Sequence, residues 1–301
     1  MTVLITGATG LVGKEIVKLC HEKDITVHYL TSSKSKISTT NKYKGFYWNI
    51  KSQEIDAACF EDVSVVIHLA GASISKRWTK AYKKEVLNSR IESTRLLKKT
   101  IEANQLPIEH FISASAIGFY PSSQTHFYEE TFSEVSDSFL GKVVDQWEAV
   151  VDELKTAGRL VTKVRIGLVL SEKGGALPEI VKPVKMGFGA AFGNGEQWQS
   201  WIHIKDLAAI FMFVLEQELE GVFNGVAPNP VSNAELTKAT AEILERPLFL
   251  PNIPKAVMHI LLGEMAMLLF ESQRVSSQKL EGEGFQFEFA NIRPALSDLL
   301  L

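Results

Sequence analysis

The sequence TGATGLVG, residues 6–13, follows directly on an apolar run, VLIT, that predicts a strand. Its glycines, Gly7, Gly10 and Gly13, lie three residues apart, and the segment after them has helical periodicity. The first permits a tight turn, the second lets the backbone approach a pyrophosphate, and the third lets the helix pack closely on the sheet. An ordinary strand–turn–helix unit needs glycine only at its turn, so the three together favour a dinucleotide-binding loop. The expected cofactor contacts are Gly7, Thr9, Gly10, Leu11, Val12 and Gly13.

The end of the second predicted strand bears on which dinucleotide is bound. An acidic residue there would accept hydrogen bonds from the adenosine ribose of NAD, but no Asp or Glu occurs between Asp24 and Glu54. The strand ITVHYL ends instead in TSSKSK, in which Ser32, Ser33 and Lys34 suit a 2′-phosphate. The alternative is a solvated turn, since lysines usually lie on surfaces. The sequence therefore favours NADP(H) over NAD.

Short β-branched runs alternate with longer amphipathic segments through the first half of the chain. The predicted strands are VLIT, TVHYL, VSVVIHLA, HFISAS and VTKVRIGLVL, and the predicted helices are 11–21, 80–104 and 139–157. Near-continuous apolar strands separated by helices predict an α/β fold, a doubly wound Rossmann-type parallel sheet with a smaller C-terminal substrate lobe. The predicted division assigns residues 1–170 to the dinucleotide-binding domain, to which 207–226 return as a helix and a strand. Residues 171–206 and 227–301 form the substrate lobe, including a C-terminal helical module.

Composition and charge exclude several classes of protein. A net charge of −3 and a pI near 6.2 give no basic surface for nucleic acid or anionic membrane. The longest apolar run, 256–270, is interrupted by His259 and Glu264 and is shorter than the roughly 20 residues of a membrane span. Cys20 and Cys59 form no CxxC pair, so neither a disulfide nor a metal site is expected. Because MTVLITGATG enters a strand at once, without a signal sequence, we expect a cytoplasmic protein.

Three motifs resemble the extended, epimerase-like branch of the short-chain dehydrogenase/reductase superfamily. TGATGLVG resembles its nucleotide loop, and HLAGA (68–72) its fourth-strand motif, which implies cofactor contacts by Leu69, Ala70 and Gly71. SASAIGFY (113–120) places Ser115 where the family keeps a catalytic serine.

The similarity is closer to one atypical subfamily, the epimerase-family proteins sometimes labelled SulA-like cell-division inhibitors. The shared motifs are KRWT, NSRIEST, QWEA, RIGLVLSEKGGAL, QWQSWIHIKDL and a terminal LLGEMA…GF module, and they cover nearly the whole chain. This resemblance implies the fold and the cofactor more than a reaction. It also leaves open a homodimer, since the helix at 80–104 pairs subunits in related extended enzymes.

The tyrosine and lysine that ordinary members use for proton transfer are missing. The lysine and the positive nicotinamide depress the pKa of the tyrosine, which makes the phenol a usable base. Alignment from QWE places Leu140 and Val144 at these two positions, and a shift by one residue gives Phe139 and Val143. The position of a third family residue, an asparagine, is taken by Arg90, so Ser115 alone remains of the four.

Tyr120 is the candidate substitute, because it follows Ser115 by five residues, just past the fifth predicted strand. The alternative is that its ring packs structurally, as tyrosines of intermediate burial often do. Glu129 and Glu130 could be acids but equally fit a capping turn before the next helix.

A second patch, GNGEQWQSWIHIKDL (193–207), offers substrate contacts. Trp198 and His203 combine flat apolar area, an indole donor and a group that titrates near neutral pH. The alternatives are a structural histidine at 203 and core packing, which is the preferred interpretation for Trp201.

These features predict an NADP(H)-binding, atypical short-chain dehydrogenase/reductase-like protein, acting as an oxidoreductase or epimerase on an unidentified small molecule. The retained serine and an aromatic-lined cleft favour an enzyme. The lost Tyr/Lys pair favours the alternative, a catalytically silent NADP(H)-binding regulator or sensor.

Overall fold

The computed structural model describes residues 1–156 and 158–301, and within them the strands and helices alternate from the first residues onward. The strands are β1 (Thr2–Thr6), β2 (Thr26–Thr31), β3 (Thr39–Thr40), β4 (Tyr43–Asn49), β5 (Glu54–Ile55), β6 (Val63–His68), β7 (His110–Ala116), β8 (Phe127–Tyr128), β9 (Leu160–Ile166), β10 (Leu168–Leu170), β11 (Trp198–Gln199), β12 (Trp201–His203), β13 (Gly221–Gly225), β14 (Val231–Ser232) and β15 (Arg274–Val275). The helices are α1 (Leu11–Glu22), α2 (Lys80–Ala103), α3 (Phe139–Asp152), α4 (Leu177–Lys185), α5 (Ile204–Glu216), α6 (Asn233–Ile243), α7 (Lys255–Leu262), α8 (Met267–Phe270), α9 (Gln278–Gly282) and α10 (Ile292–Leu300).

The central sheet has the strand order β13-β9-β7-β6-β1-β2-β4-β3, and β5 pairs with β4. Every pairing from β13 to β4 is parallel, whereas the short β3 and β5 are antiparallel to β4. From the middle of the sheet, β1, β2 and β4 follow one another toward one edge, and β6, β7, β9 and β13 follow one another toward the other edge. The order reverses between β1 and β6, and open sheets of this kind bind ligands at that point, outside the carboxyl ends of the strands. The predicted doubly wound α/β fold is confirmed.

Helices cover the sheet in two packed pairs. α1 contacts α5, where Cys20 Sγ lies 3.7 Å from Met212 Sδ, and α2 contacts α3, where Lys98 bonds Glu153 at 2.9 Å. One continuous apolar core joins the sheet to these helices and reaches α6 and α10. The C-terminal helices therefore share the core of the parallel sheet, and the predicted boundary between domain and lobe stays a prediction.

Three predicted elements differ from those observed. The strand predicted at 161–170 divides at Gly167, where a Cβ would lie 2.2 Å from the Ser200 carbonyl oxygen. Glycine permits this approach, and β10 then leaves the central sheet to pair with β12. The helix predicted at 139–157 ends at Asp152, and the end predicted for it, Ala157, lies outside the described residues.

The terminal apolar run, expected as one helix, is broken at Gly263, whose φ of +61° stops α7. A 3-10 turn, Gly263–Ala266, then leads into α8. None of the helices within residues 1–156 and 158–301 has the length and apolar character that a membrane crossing requires.

Candidate active site and cofactor cleft

The glycine loop between β1 and α1 is shaped as a cradle for an anion. Gly7 has a φ of +73°, and a Cβ at Gly13 would lie 2.2 Å from the Gly7 carbonyl oxygen, so α1 begins tightly against the turn. Gly10 precedes the helix in an extended conformation without a side-chain cap. The first-turn amides of α1, which lack partners within the helix, are the groups that bind phosphate in such loops. The loop therefore fits a dinucleotide pyrophosphate.

The HLAGA segment lies directly beside this loop. A Cβ on Gly7 would lie 3.2 Å from the Leu69 carbonyl carbon, and the Thr6 hydroxyl accepts hydrogen bonds from the amides of Leu69 and Ala70, both at 3.1 Å. The Thr6 hydroxyl also lies 2.7 Å from Nδ1 of His68. Burial lowers the pKa of His68 to about 3, so the imidazole is neutral. Thr6 and His68, which hold the two predicted cofactor segments together, are not among the contacts that the motifs predict.

The TSSK turn lies at the carboxyl end of β2, on the same edge of the sheet as the glycine loop. Ser32 and Lys34 are exposed, and Lys34 Nζ lies 5.0 Å from the centroid of the Tyr47 ring. Within the described part of the chain, no carboxylate forms an ion pair with Lys34. A free cation beside two hydroxyl groups suits a phosphate monoester.

A pocket of about 330 Å³ opens at the carboxyl ends of β6 and β7, beside this cleft. Its walls are mostly apolar and come from strand ends, from α3 and from the C-terminal segment. Lining side chains include Leu69, Ile74, Ser115, Leu140, Val143, Val144, Trp147, Trp198, Leu268 and Gln273. The structure thus brings together Ser115, Trp198 and Leu69, which come from three separate motifs. It also places Leu140 and Val144, the residues aligned with the missing pair, on the pocket wall.

Ser115 is held by a buried ion pair. Its hydroxyl donates to Glu148 Oε1 at 2.5 Å, and Arg165 donates to both carboxylate oxygens of Glu148 at 2.9 Å. Lys163 Nζ lies 3.6 Å from Glu148 Oε2. Burial alone would raise the pKa of Glu148, but Arg165, Ser115 and Lys163 together hold it below its usual value. Glu148 is therefore ionised and fixes the Ser115 proton, so Ser115 faces the pocket as a hydrogen-bond acceptor.

Tyr120 belongs to the same buried network but is absent from the pocket lining. A 3-10 turn, 117–119, precedes it, and its ring is fully buried and stacked on Tyr128. Its hydroxyl accepts from Arg165 at 3.0 Å and donates to Asn224 at 2.8 Å. Burial raises the pKa of Tyr120. These contacts match the alternative, structural interpretation of Tyr120.

The acids near Tyr120 differ in their surroundings. Glu130 accepts a hydrogen bond from the backbone amide of Asn224 at 2.8 Å, and its burial raises its pKa. Glu129 lies in an open depression beside Phe132, outside the pocket that holds Ser115.

Trp198 and His203 lie in different places. Trp198 lines the pocket, and its indole donates to the Gln124 carbonyl oxygen at 2.9 Å. His203 is fully buried outside the pocket lining, with its Nδ1 accepting from the Lys205 amide, and its ring stacks on Phe289. It caps α5 and matches the structural alternative. Trp201 is fully buried in the core, as expected.

Two charged residues of the pocket were not assigned a role from the sequence. Arg90 lies against Gly71, where a Cβ would be 3.0 Å from its guanidinium carbon, and over the Trp147 ring at 5.2 Å. Burial lowers its pKa to about 10, and no carboxylate of the described residues forms an ion pair with it. Glu271 lines the same pocket, and burial raises its pKa to about 7. The position of Arg90 between the HLAGA segment and the pocket suits a cofactor or substrate anion.

The segment that carries Glu271 is fastened to the loop that follows Ser115. Ser272 donates through its amide to Ser122 at 3.0 Å and through its hydroxyl to the Ser123 carbonyl oxygen at 2.9 Å. The Gln273 side chain donates to the Tyr120 carbonyl oxygen at 2.7 Å. The C-terminal helices therefore complete a wall of the pocket rather than form a separate appendage.

Comparison with known proteins agrees with this geometry. Residues 3–225 match the NAD dependent epimerase/dehydratase family, and residues 253–299 match a domain of unknown function, DUF1731. An epimerase family protein of Staphylococcus epidermidis is 35% identical over 301 residues, which cover 99% of this chain and 98% of that protein.

Solved structures show the same architecture. The human epimerase family protein SDR39U1, crystallised with NADPH, is similar with a TM-score of 0.87, 31% identity and 99% coverage of both chains. The Thermus thermophilus UDP-glucose 4-epimerase complex with NAD, at 18% identity over 99% of both chains and a TM-score of 0.76, shares the fold. The predicted family resemblance is thereby confirmed, and the members of this family bind nicotinamide cofactors. The chain belongs to the NAD-dependent epimerase/dehydratase family, with the DUF1731 module at its C-terminal end.

Proposed function

We propose that the protein is an NADP(H)-dependent oxidoreductase that acts on a small, largely apolar carbonyl compound or enone. The observation that carries this proposal is the apolar pocket that places Ser115 beside the cofactor cleft. A sugar nucleotide carries many hydroxyl groups that need hydrogen-bonding partners, and the wall formed by Leu140, Val143 and Val144 of α3 offers none. Leu140 and Val144 on its wall can neither donate nor accept a proton. We therefore expect no ordinary sugar-nucleotide epimerisation.

The choice of NADP(H) is supported by Lys34, Ser32 and the missing acid after β2. The relative crystallised with NADPH supports the same choice. Titration of NADPH and NADH by fluorescence tests it, and we expect NADPH to bind more tightly. Replacement Lys34→Ala should weaken NADPH binding about tenfold and leave NADH binding unchanged, because a bond to a charged group contributes about 1.5–3 kcal/mol and exposure of Lys34 to solvent keeps it near the lower value. Equal affinities in the unaltered protein would contradict NADP(H) selectivity.

When bound, the cofactor supplies a hydride to the substrate carbon. Ser115 accepts a hydrogen bond from the hydroxyl group of the alcohol form, because its own proton is held by Glu148. Apolar side chains from α3 exclude water around that oxygen, and Trp198 provides a flat wall. Ser115 thus bonds the hydroxyl group that forms as the carbonyl is reduced, and it supplies no proton itself.

A screen of carbonyl compounds and enones, in which the oxidation of NADPH is measured with each compound, tests the activity. Loss of the Ser115 hydrogen bond should cost about 1–3 kcal/mol, so Ser115→Ala should lower kcat roughly 10- to 100-fold and leave NADPH affinity intact. Ser113→Ala is the matched control, since Ser113 lies two residues earlier on β7 and bonds only the backbone. Unchanged kcat in Ser115→Ala would remove Ser115 from the reaction.

A second candidate function, a silent NADP(H) sensor, is favoured by the inert side chains of Leu140 and Val144 at the pocket wall. Tight NADPH binding with no turnover across the screen would establish this alternative. A cytoplasmic location and a homodimer stay predictions from the sequence.

A further inference from the structure

The pocket contains a carboxyl group in an unusual environment. Glu271 is the residue after α8 and lines the same pocket as Ser115, among apolar neighbours that include Leu268. Its surroundings remove water from the carboxyl group without supplying a compensating cation, and the nearby Ser138 side chain offsets only part of this effect on the pKa. A carboxyl in such a place favours its neutral form, which can donate a proton.

The other polar groups of the pocket are unable to fill this role. The Ser115 proton is held by Glu148 at 2.5 Å, and Glu148 is kept ionised by Arg165. Arg90 remains charged, because a guanidinium does not release its proton in proteins. The hydroxyl of Tyr120 is directed to Asn224. Of the described residues that line the pocket, Glu271 is the remaining side chain able to release a proton near neutral pH.

The backbone next to this carboxyl group is held in place. The residue after it, Ser272, makes three further bonds in addition to its hydroxyl bond to Ser123. Its amide donates to Ser122, its carbonyl oxygen accepts from the Ser123 amide at 2.7 Å, and its hydroxyl accepts from the Trp198 amide at 3.1 Å. Proton transfer requires a donor that is held within hydrogen-bonding reach of the substrate. The bonds of Ser272 fix the backbone from which the Glu271 side chain extends.

We propose that Glu271, from the C-terminal module, is the catalytic proton donor in place of the tyrosine that the family ordinarily uses. The assignment rests on the proposed function. In the reductive direction the O–H bond of Glu271 breaks and a bond forms from this proton to the carbonyl oxygen. The π electron pair of the carbonyl moves to that oxygen as the carbon receives the hydride from NADPH. Water then returns a proton to the Glu271 carboxylate.

Replacement Glu271→Gln tests the assignment with NADPH and the apolar diketone benzil as the probe substrate. The kcat of the variant should be about 10²–10⁴-fold lower than that of the unaltered protein, which is the usual cost of losing a positioned acid. The affinity for NADPH should be unchanged. Glu283→Gln is the matched control, since Glu283 is exposed in the same module, and it should keep full kcat.

The pH profile distinguishes a proton donor from a structural residue. The active form of Glu271 is protonated, so kcat of the unaltered protein should be constant below about pH 7 and decline above it. The polar group beside this carboxyl is Ser138 at the start of α3, and Arg90 on α2 lines the same pocket without forming an ion pair with Glu271. The neighbouring Arg274 lies over the Trp198 ring at 4.6 Å. Glu271→Gln should abolish the alkaline decline, and Glu283→Gln should retain it.

A second measurement needs neither substrate nor cofactor. The folded pKa of Glu271 is raised from 4.5 to about 7, so the folded state holds a proton that the unfolded state releases. The stability of the unaltered protein should therefore fall between about pH 4.5 and 7, and this component should be absent in Glu271→Gln. Urea midpoints at pH 5 and pH 8 measure it.

The outcomes separate the two proposals. Loss of kcat together with a flattened pH profile and a flattened stability profile would support Glu271 as the donor. Undiminished turnover of benzil by Glu271→Gln would overturn the assignment and leave the oxidoreductase intact. No turnover of benzil or of the screened compounds by the unaltered protein, with NADPH bound, would overturn the proposed function and the donor role with it.

Discussion

Replacement of Glu148 by glutamine should destabilise the protein more than the loss of any exposed ion pair. The Glu148 carboxylate accepts three hydrogen bonds, one from Ser115 and two from Arg165, and lies near Lys163. A glutamine has the same shape but one acceptor oxygen, and its amide group would direct a donor against an Arg165 donor. The side chain of Arg165 is 5% exposed, so water cannot replace the lost partner.

The expected cost follows from these contacts. A hydrogen bond to a charged group contributes about 1.5–3 kcal/mol, and removal of one partner of a buried ion pair typically costs about 3–5 kcal/mol. We expect Glu148→Gln to lower the free energy of unfolding by about 3–5 kcal/mol at pH 7. Glu153→Gln is the control, because Glu153 at the end of α3 is 48% exposed and bonds Lys98. An exposed pair of this kind should contribute about 0–1 kcal/mol.

Urea denaturation followed by circular dichroism measures both variants. The folded pKa of Glu148 lies below its usual 4.5, so the stabilisation is complete above that value and is lost as the pH falls through the folded pKa. The destabilisation caused by Glu148→Gln should therefore shrink in acid below about pH 4.5. A loss below about 1 kcal/mol at pH 7, or one independent of acid, would refute the view that Glu148 is a buried, ionised anchor.

Three further predictions concern the loop, the buried tyrosine and the buried histidine. Gly13→Ala should abolish NADPH binding in a fluorescence titration, because its Cβ would lie 2.2 Å from the Gly7 carbonyl oxygen; retained affinity would contradict this packing. Tyr120→Phe should lower the free energy of unfolding by about 1–3 kcal/mol and leave kcat nearly unchanged, whereas a stable variant with reduced kcat would return Tyr120 to the reaction. Burial lowers the pKa of His203 from 6.5 to about 4, so the unfolded state binds a proton more readily than the folded state. The stability of the fold should therefore decline as the pH falls from about 6.5 to 4. His203→Asn should flatten that decline in urea titrations, and an unchanged slope would contradict it.

The fold was predictable because its determinants are local in the sequence. The three glycines, the apolar strands and the helical periodicity each lie within a short window, and the order of the strands follows from the rules for parallel sheets. Ser115 was predicted from a local motif as well, because SASAIGFY (113–120) resembles the fifth strand on which the family keeps a catalytic serine. Gly167 was not, because its necessity comes from the close approach of Ser200, which no local pattern reports.

The polar residues of the site were harder to predict. The pairing of Glu148 with Arg165 joins a helix to a strand. Glu271 and Ser115 line the same pocket although they lie far apart in the sequence, and no spacing rule reports such a meeting. Tyr120 shows the opposite error, because its closeness to Ser115 in sequence suggested the same pocket. The turn at 117–119 carries it instead into a buried cluster with Tyr128. The raised pKa of Glu271 depends on apolar neighbours that come from separate segments.

The bonds between Ser272 and the loop at 122–123 also bear on the order of folding. They join residues 149–150 positions apart, and closing so long a stretch of chain costs entropy before the contact rewards it. Proteins rich in such distant contacts fold slowly. The contacts between the glycine loop and the HLAGA segment span only 63 and 64 positions, so the loop can form while this wall of the pocket is still open. If refolding is monitored by NADPH fluorescence, cofactor binding should therefore appear before the pocket excludes water. Catalytic activity should return last.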